Sequence, residues 1–123
     1  MDTASVILLG LFILYLLFKF LGYLSRLGIK QVSGRELDQM KGITLLDTRS
    51  DKEYKQGHIP GAVHIPLNEL GSKGKKLRKD KDIVVYCQNG NRSIWAIKRL
   101  MGMGFTKLIN LRGGYLGWKR SHR

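Results

Sequence analysis

Hydrophobic residues are distributed along this chain in two different ways. From residue 4 to residue 24 they form one nearly continuous run, in which Lys19 is the only charged residue. Farther along, they occur in runs of about four or five that are separated by polar segments. The first pattern is typical of a membrane-spanning helix, and the second is typical of short buried strands that alternate with helices.

The first run is long enough to cross a bilayer. As a helix it would measure about 31 Å at a rise of 1.5 Å per residue, close to the thickness of the hydrocarbon core. Lys19 lies near its end and can extend its ammonium group to the interface, where Tyr23 is also favoured. A cleaved signal peptide fits less well, since no basic segment precedes the apolar run. We therefore expect a tail at 1–3 and a single transmembrane helix at 4–24.

Charges on either side of this run predict its orientation. Asp2 is the only charged residue before it, whereas cations follow it at Arg26, Lys30, Arg35 and Lys41. By the positive-inside rule, the part of the chain after the span is expected in the cytoplasm. Residues 25–31 are expected to be a linker with a hinge at 25–28, and residues 32–123 one small domain.

The remaining short apolar runs predict the strands of that domain. They lie at 43–47, 62–65, 83–86 and 107–111. Helical segments are predicted between them, at 33–40 (where Ser33 and Glu36 match a capping box), 51–56, 67–70, 94–101 and after Gly114. This alternation predicts an α/β fold with a parallel sheet covered by helices on both faces. In such sheets, ligands bind at the carboxyl ends of the strands.

The only cysteine, Cys87, lies at one of these strand ends, directly before a predicted helix. Backbone N–H groups of such a turn, together with the helix N-terminus, favour an anion and therefore the thiolate form of cysteine. A thiolate is the nucleophilic form. Arg92 opposes the helix dipole at this position, which favours a role in binding an anionic substrate. The alternative is an inert buried thiol, the usual role of a lone cysteine.

Composition limits the other chemistry. The chain has 123 residues with a formal net charge of +13, and a single cysteine excludes an internal disulfide. His58, His64 and His122 lack ligand-like spacing, so we expect no metal site, and we interpret His58 and His64 as structural. Trp95 and Trp118 are expected to pack in the core or at its rim.

A basic segment at 73–81 contains six cations and one acid, Asp80. It has no interleaved aromatic residues and no known nucleic-acid motif, so a nucleic-acid partner is not expected. A solvated loop and contact with anionic lipid headgroups remain as interpretations.

Four motifs in order give the soluble part a resemblance to rhodanese domains, from about Val32 to Lys119. They are Leu46-Asp47-Thr48-Arg49, the segment 53–62, Val85-Tyr86-Cys87 with its loop to Arg92-Ser93, and the segment 111–118. The resemblance implies a rhodanese-like parallel sheet flanked by helices, and the one transmembrane helix predicted before this sheet lies outside the resemblance. It also implies a sulfurtransferase activity that requires no cofactor.

The resemblance also implies a role for each site residue. Cys87 would carry a sulfane sulfur as a persulfide, and Arg92 would bind the anionic donor. The rest of the loop would surround that sulfur with N–H groups: Gln88, Asn89, Gly90, Asn91 and Ser93. Asp47 and Arg49 would order the loop. The expected partners are thiosulfate or a persulfide as donor, a thiol or protein as acceptor, and membrane lipid.

Two other functions remain open. One is a membrane-tethered binding module, since rhodanese-like domains without turnover serve as adaptors, although these domains commonly lack the cysteine. Related phosphatases and arsenate reductases also use a cysteine and an arginine. The cell-cycle phosphatases resemble this loop with one more residue, whereas here four residues separate Cys87 from Arg92.

Overall fold

The computed structural model covers residues 1–123 and describes all of them except the side chains of residues 25–27. Helix α1 spans Thr3–Leu27, and every side chain described in it is exposed. Its segment Thr3–Leu24 is long and apolar enough to cross a membrane, a property that an N-terminal signal sequence shares. The hinge predicted at 25–28 overlaps the last turn of α1, where the side chains of residues 25–27 lie outside the described set, and it stays a prediction.

A five-stranded parallel sheet forms the centre of the domain. Its strands are β1 (Lys30–Val32), β2 (Thr44–Asp47), β3 (Val63–His64), β4 (Ile83–Tyr86) and β5 (Leu108–Leu111). Their order across the sheet is β1-β5-β4-β2-β3, and every pairing is parallel. The predicted α/β fold is therefore confirmed, with β4 in the middle of the sheet.

Strand β1 lies partly within the segment predicted to be a linker. It pairs with β5 in the register Lys30↔Ile109 and Val32↔Leu111. A strand of three residues, two of them polar, shows no periodicity that the sequence could reveal. Strand β1 is instead defined by its hydrogen bonds to the neighbouring strand β5. The sheet consequently begins only three residues after helix α1 ends.

Five helices surround the sheet in addition to α1. They are α2 (Gly34–Asp38), α3 (Asp51–Lys55), α4 (Leu70–Lys73), α5 (Arg92–Gly102) and α6 (Gly114–Ser121), with 3₁₀ turns at Leu67–Glu69 and Gly74–Lys76. Ser33 and Glu36 form the predicted capping box at the start of α2. Ser50 and Glu53 form a second capping box at the start of α3, which shows that polar side chains define even these five-residue helices.

Two hydrophobic clusters, one on each face of the sheet, make up the core. Val85 belongs to one cluster together with Ile97 of α5, and Val84 belongs to the other together with Ile109. All four residues of β4 are buried. Burial on both faces explains why the strands are continuous apolar runs instead of alternating apolar and polar residues.

Candidate active site

Three polar segments meet at the carboxyl edge of the sheet, as the strand ends predict. Asp47 ends β2, Cys87 follows β4, and the turn before α6 follows β5. The backbone N–H of Tyr115 donates to the Cys87 carbonyl at 2.8 Å, and that of Leu116 donates to the Gln88 carbonyl at 3.0 Å. The first turn of α6 therefore fixes the start of the cysteine loop.

The Cys87 thiol lies almost fully buried beneath its own loop, with 1% of the residue exposed. The backbone N–H of Gly90 points at Sγ at a distance of 3.1 Å. Gly90 has a φ of +94°, and a Cβ there would lie 3.0 Å from the Gly113 nitrogen. A glycine is therefore required for the loop to turn its N–H toward the sulfur.

Ser93 and Asn110 form a buried polar pair behind the sulfur. The Ser93 hydroxyl lies 3.5 Å from Cys87 Sγ and donates to Asn110 Oδ1 at 2.5 Å. The Asn110 amide lies 3.4 Å from the carbonyl of Gly90 and from Gln31 Oε1. Asn110 thus joins β5 to the loop and to helix α5. The sequence offered one signal for it, a polar residue inside the apolar run of β5.

Asp47 and Arg49 form a buried ion pair beside the loop. Arg49 Nη2 lies 2.9 Å from Asp47 Oδ2, and both side chains are at most 1% exposed. The Arg49 backbone N–H also donates to Asp47 Oδ1 at 2.8 Å. On its other side Arg49 donates to Gln88 Oε1 at 3.1 Å and lies 4.2 Å from the Tyr115 ring centroid. The pair therefore connects the end of β2 to the loop residue after the cysteine.

Tyr86 lies directly before the cysteine, at the end of β4. Burial, followed by the proximity of the Asp47 carboxylate, raises the pKa of the Tyr86 hydroxyl far above its ordinary value. The hydroxyl stays protonated and accepts the backbone N–H of Ile59 at 3.2 Å. It thereby attaches the segment before β3 to the central strand.

Arg92 lies at the rim of the site, half exposed, and pairs with Glu53 of α3 at 3.3 Å. Burial opposes ionisation of Glu53, but hydrogen bonds from Ser50 and the positive charge of Arg92 outweigh it and hold the pKa of Glu53 below its ordinary value. An ionised Glu53 therefore restrains the guanidinium near the first turn of α5. Sequence reasoning did not find Glu53, because the two residues are 39 positions apart.

Both histidines near the site pack against one ring. Tyr54 stacks between His58, with centroids 3.9 Å apart, and His64, with centroids 4.3 Å apart. His64 Nε2 also lies 2.8 Å from the Arg49 carbonyl oxygen. These contacts agree with the structural interpretation of both histidines. Within the described part of the chain, no group of three or more metal-ligating side chains occurs.

Trp118 packs against the core as expected, but the expectation of packing is wrong for Trp95, which is 66% exposed. On α5 the buried positions include Ile94 and Ile97, so the intervening Trp95 projects from the opposite face. Its ring lies 5.3 Å from Lys98 Nζ.

A buried thiol lies under a short loop that directs the Gly90 N–H at it, at the carboxyl edge of a parallel sheet. This arrangement defines a domain suited to cysteine chemistry on a group held by the loop. Comparison with known proteins specifies that class. Residues 33–121 match the family model of the rhodanese-like domain. The chain belongs to the rhodanese-like family.

Relatives of this family include sulfurtransferases. A sulfurtransferase of Allochromatium vinosum is 36% identical over 86 residues, which cover 70% of this chain and 80% of the relative. The thiosulfate sulfurtransferase GlpE of Coxiella burnetii is 31% identical over 94 residues, which cover 76% of this chain and 88% of the relative. A rhodanese-related protein of known structure from Thermoplasma volcanium is 32% identical, with a TM-score of 0.69 and coverage of 75% and 92%.

Proposed function

We propose that this protein is a membrane-anchored sulfurtransferase that moves a sulfane sulfur from a donor such as thiosulfate to a thiophilic acceptor through a persulfide on Cys87. The observation that carries the proposal is the Gly90 N–H, 3.1 Å from Cys87 Sγ in a family that includes sulfurtransferases. This donor stabilises negative charge at the position where thiolate and persulfide sulfur would lie.

The proposed cycle consists of two displacements at sulfur. The Cys87 thiolate attacks the outer sulfur of thiosulfate, the new S–S bond forms, and sulfite leaves with the electron pair of the broken S–S bond. An acceptor thiolate or cyanide then attacks the outer persulfide sulfur, and Cys87 departs again as thiolate. The two half-reactions balance without an external oxidant, reductant or cofactor.

The remaining site residues support this cycle in different ways. Arg92 binds the donor anion as it approaches from the rim, and the loop 88–93, whose Gly90 N–H points at Cys87 Sγ, holds the transferred sulfur. The Asp47–Arg49 pair holds the loop through Gln88. Ser93 and Asn110 support the loop from behind.

Helix α1 supplies the proposed anchor, and the cations that follow it favour a cytoplasmic domain. The acceptor is proposed to be a thiol or a partner protein. A tethered binding module without turnover is the less favoured function, because it needs neither Cys87 nor an N–H group directed at its sulfur.

The reaction class is tested by intact mass. After incubation of the full chain with thiosulfate, we expect one additional sulfur atom, located on Cys87, which cyanide removes as thiocyanate. The same preparation should hydrolyse aryl phosphates negligibly, because a loop with four residues between Cys87 and Arg92 leaves little room for a tetrahedral phosphate. Efficient phosphate hydrolysis without a persulfide would assign the chain to the phosphatase branch instead.

Arg92→Ala is expected to raise the KM for thiosulfate more than Arg92→Lys, since lysine keeps the charge but loses the paired N–H donors. A charge-assisted contact of about 1.5–3 kcal/mol corresponds to a rise of roughly 10- to 100-fold for alanine. Steady-state kinetics at varied thiosulfate measure the effect. Lys55→Ala, which removes an exposed cation from α3, serves as the control. Wild-type KM values in both Arg92 variants would remove this residue from the donor site.

A further inference from the structure

A basic groove lies on the domain away from the cysteine loop. Its volume is about 650 Å³, and none of its lining residues belongs to the segment 87–93. The lining contains four cations and two apolar side chains, together with two glycines: Lys75, Lys79, Lys98, Arg99, Met103, Phe105, Gly71 and Gly102. No acidic residue lines it. Cations around an apolar floor are suited to an anion that carries an apolar portion.

The shape of the groove depends on close contacts between its cations and the chain. A Cβ at Gly71 would lie 2.6 Å from Arg99 Nη2, so this glycine leaves room for the guanidinium. Lys79 Nζ lies 5.3 Å from the Phe105 ring centroid, over the apolar floor. The lining is therefore a formed depression and not a set of unrelated surface lysines.

Two acids in the segments that flank the groove pair with cations outside its lining. Asp80 pairs with Arg78 at 2.6 Å, and Glu69 pairs with Lys73 at 3.2 Å. An anion that enters the groove therefore meets cations and, among the residues that line it, no carboxylate.

Sheet polarity places this groove at the amino edge. Lys79 comes shortly before β4, Phe105 comes shortly before β5, and Arg99 lies in the C-terminal half of α5, which starts at the opposite edge. The Ile83 N–H donates to the Lys107 carbonyl at 2.8 Å, which joins the two segments that lead into β4 and β5. Cys87 lies at the carboxyl ends of the same strands.

Helix α1 connects to the sheet at the amino edge, the edge where the groove lies. Strand β1 is parallel to β5, and only residues 28 and 29 separate the end of α1 from its amino end. The three residue steps from 27 to 30 span at most about 11 Å. If α1 is a membrane anchor, the amino edge is held close to the lipid headgroups, and the reactive edge is held away from them.

We infer that the groove binds the headgroup of an anionic phospholipid in the membrane that α1 spans, and so fixes the amino edge of the domain on the lipid surface. The inference rests on the proposed membrane anchor. Phosphate oxygens would lie against Lys79 and Arg99, which line the groove. Each cation close to an anionic surface strengthens such docking roughly fivefold.

The test compares the full chain in nanodiscs of phosphatidylcholine alone with the full chain in nanodiscs that also contain phosphatidylglycerol. Hydrogen–deuterium exchange is followed in peptides that cover 71–79 and 98–105. We expect slower exchange in both peptides only when phosphatidylglycerol is present. Equal exchange in the two lipid compositions overturns the inference, and this comparison needs no variant.

Matched variants then locate the contact. The double variant Lys79→Gln/Arg99→Gln should weaken docking on the anionic lipid by roughly 25-fold, measured as loss of the lipid-dependent protection from exchange. Lys52→Gln/Lys55→Gln removes the same charge from α3, which begins at the carboxyl edge, and should keep the protection. An equal loss of protection in both double variants would show that the domain is attracted to the lipid by its net charge alone. That result would overturn the groove assignment.

Two separate measurements test whether the bound anion belongs to a lipid and whether α1 anchors the chain in the membrane. Soluble glycerol phosphate added to phosphatidylcholine discs should not reproduce the protection; if it does, the groove is a site for small anions and the lipid assignment is wrong. A chain that joins neither kind of disc overturns the anchor and this inference together. A chain that joins both kinds, with no dependence on phosphatidylglycerol, overturns this inference alone.

Discussion

Replacement of Cys87 by serine is expected to abolish sulfur transfer, with a loss on the order of 10⁴-fold or more, as for other enzymes that lose their nucleophile. A serine hydroxyl is not ionised near neutral pH and forms no persulfide. The chain has no other cysteine that could replace the lost thiol. Thiosulfate-dependent production of thiocyanate from cyanide measures the loss.

The serine variant should remain folded, because the substitution changes one buried atom and leaves the Gly90 N–H an oxygen acceptor. Circular dichroism and the unfolding midpoint of the full chain in detergent serve as controls. A folded Cys87→Ser protein that retains sulfur transfer would refute the persulfide mechanism while leaving the family assignment intact.

Arg49→Met is expected to destabilise the domain by about 3–5 kcal/mol, because it leaves the Asp47 carboxylate buried and without its partner. The loss extends to the Gln88 contact and the stacking on Tyr115, so the cysteine loop should loosen as well. Urea unfolding in detergent, followed by near-ultraviolet circular dichroism, measures the change in free energy of unfolding.

Arg78→Met provides a matched control, since it breaks an arginine–aspartate pair that is exposed on both sides. Solvent screens such a pair, so its removal should change stability little. Equal effects of the two substitutions would show that the Asp47–Arg49 pair contributes no more than a surface contact. A large drop of the unfolding midpoint in Arg49→Met, without a comparable drop in Arg78→Met, supports the role of Arg49 in ordering the site.

Sequence patterning predicted those parts of the structure that local chemistry determines. The strands at Thr44–Asp47 and Ile83–Tyr86 are apolar because both faces of the sheet are covered, so their runs could be recognised directly. The position of Cys87 at a strand end then followed from the polarity of a parallel sheet. The capping box of Ser33 likewise depends on residues three positions apart.

The features that sequence reasoning missed arise from contacts between distant segments. Strand β1 is defined by its pairing with β5, and Asn110 acquires its role only when β5 lies beside the cysteine loop. The pairing of Arg92 with Glu53 depends on how α3 and α5 approach each other. Exposure of Trp95 depends on the rotation of α5 about its axis, which no single residue specifies.

The burial of Cys87 Sγ also affects whether the thiol can form a disulfide between reactions. A disulfide requires the two Cα atoms to approach within about 4.4–6.8 Å, so two copies of this domain cannot cross-link through a sulfur beneath its own loop unless that loop opens. The chain has no second cysteine that could resolve an oxidised Cys87, so the cover over Sγ is what keeps two copies from joining through a disulfide.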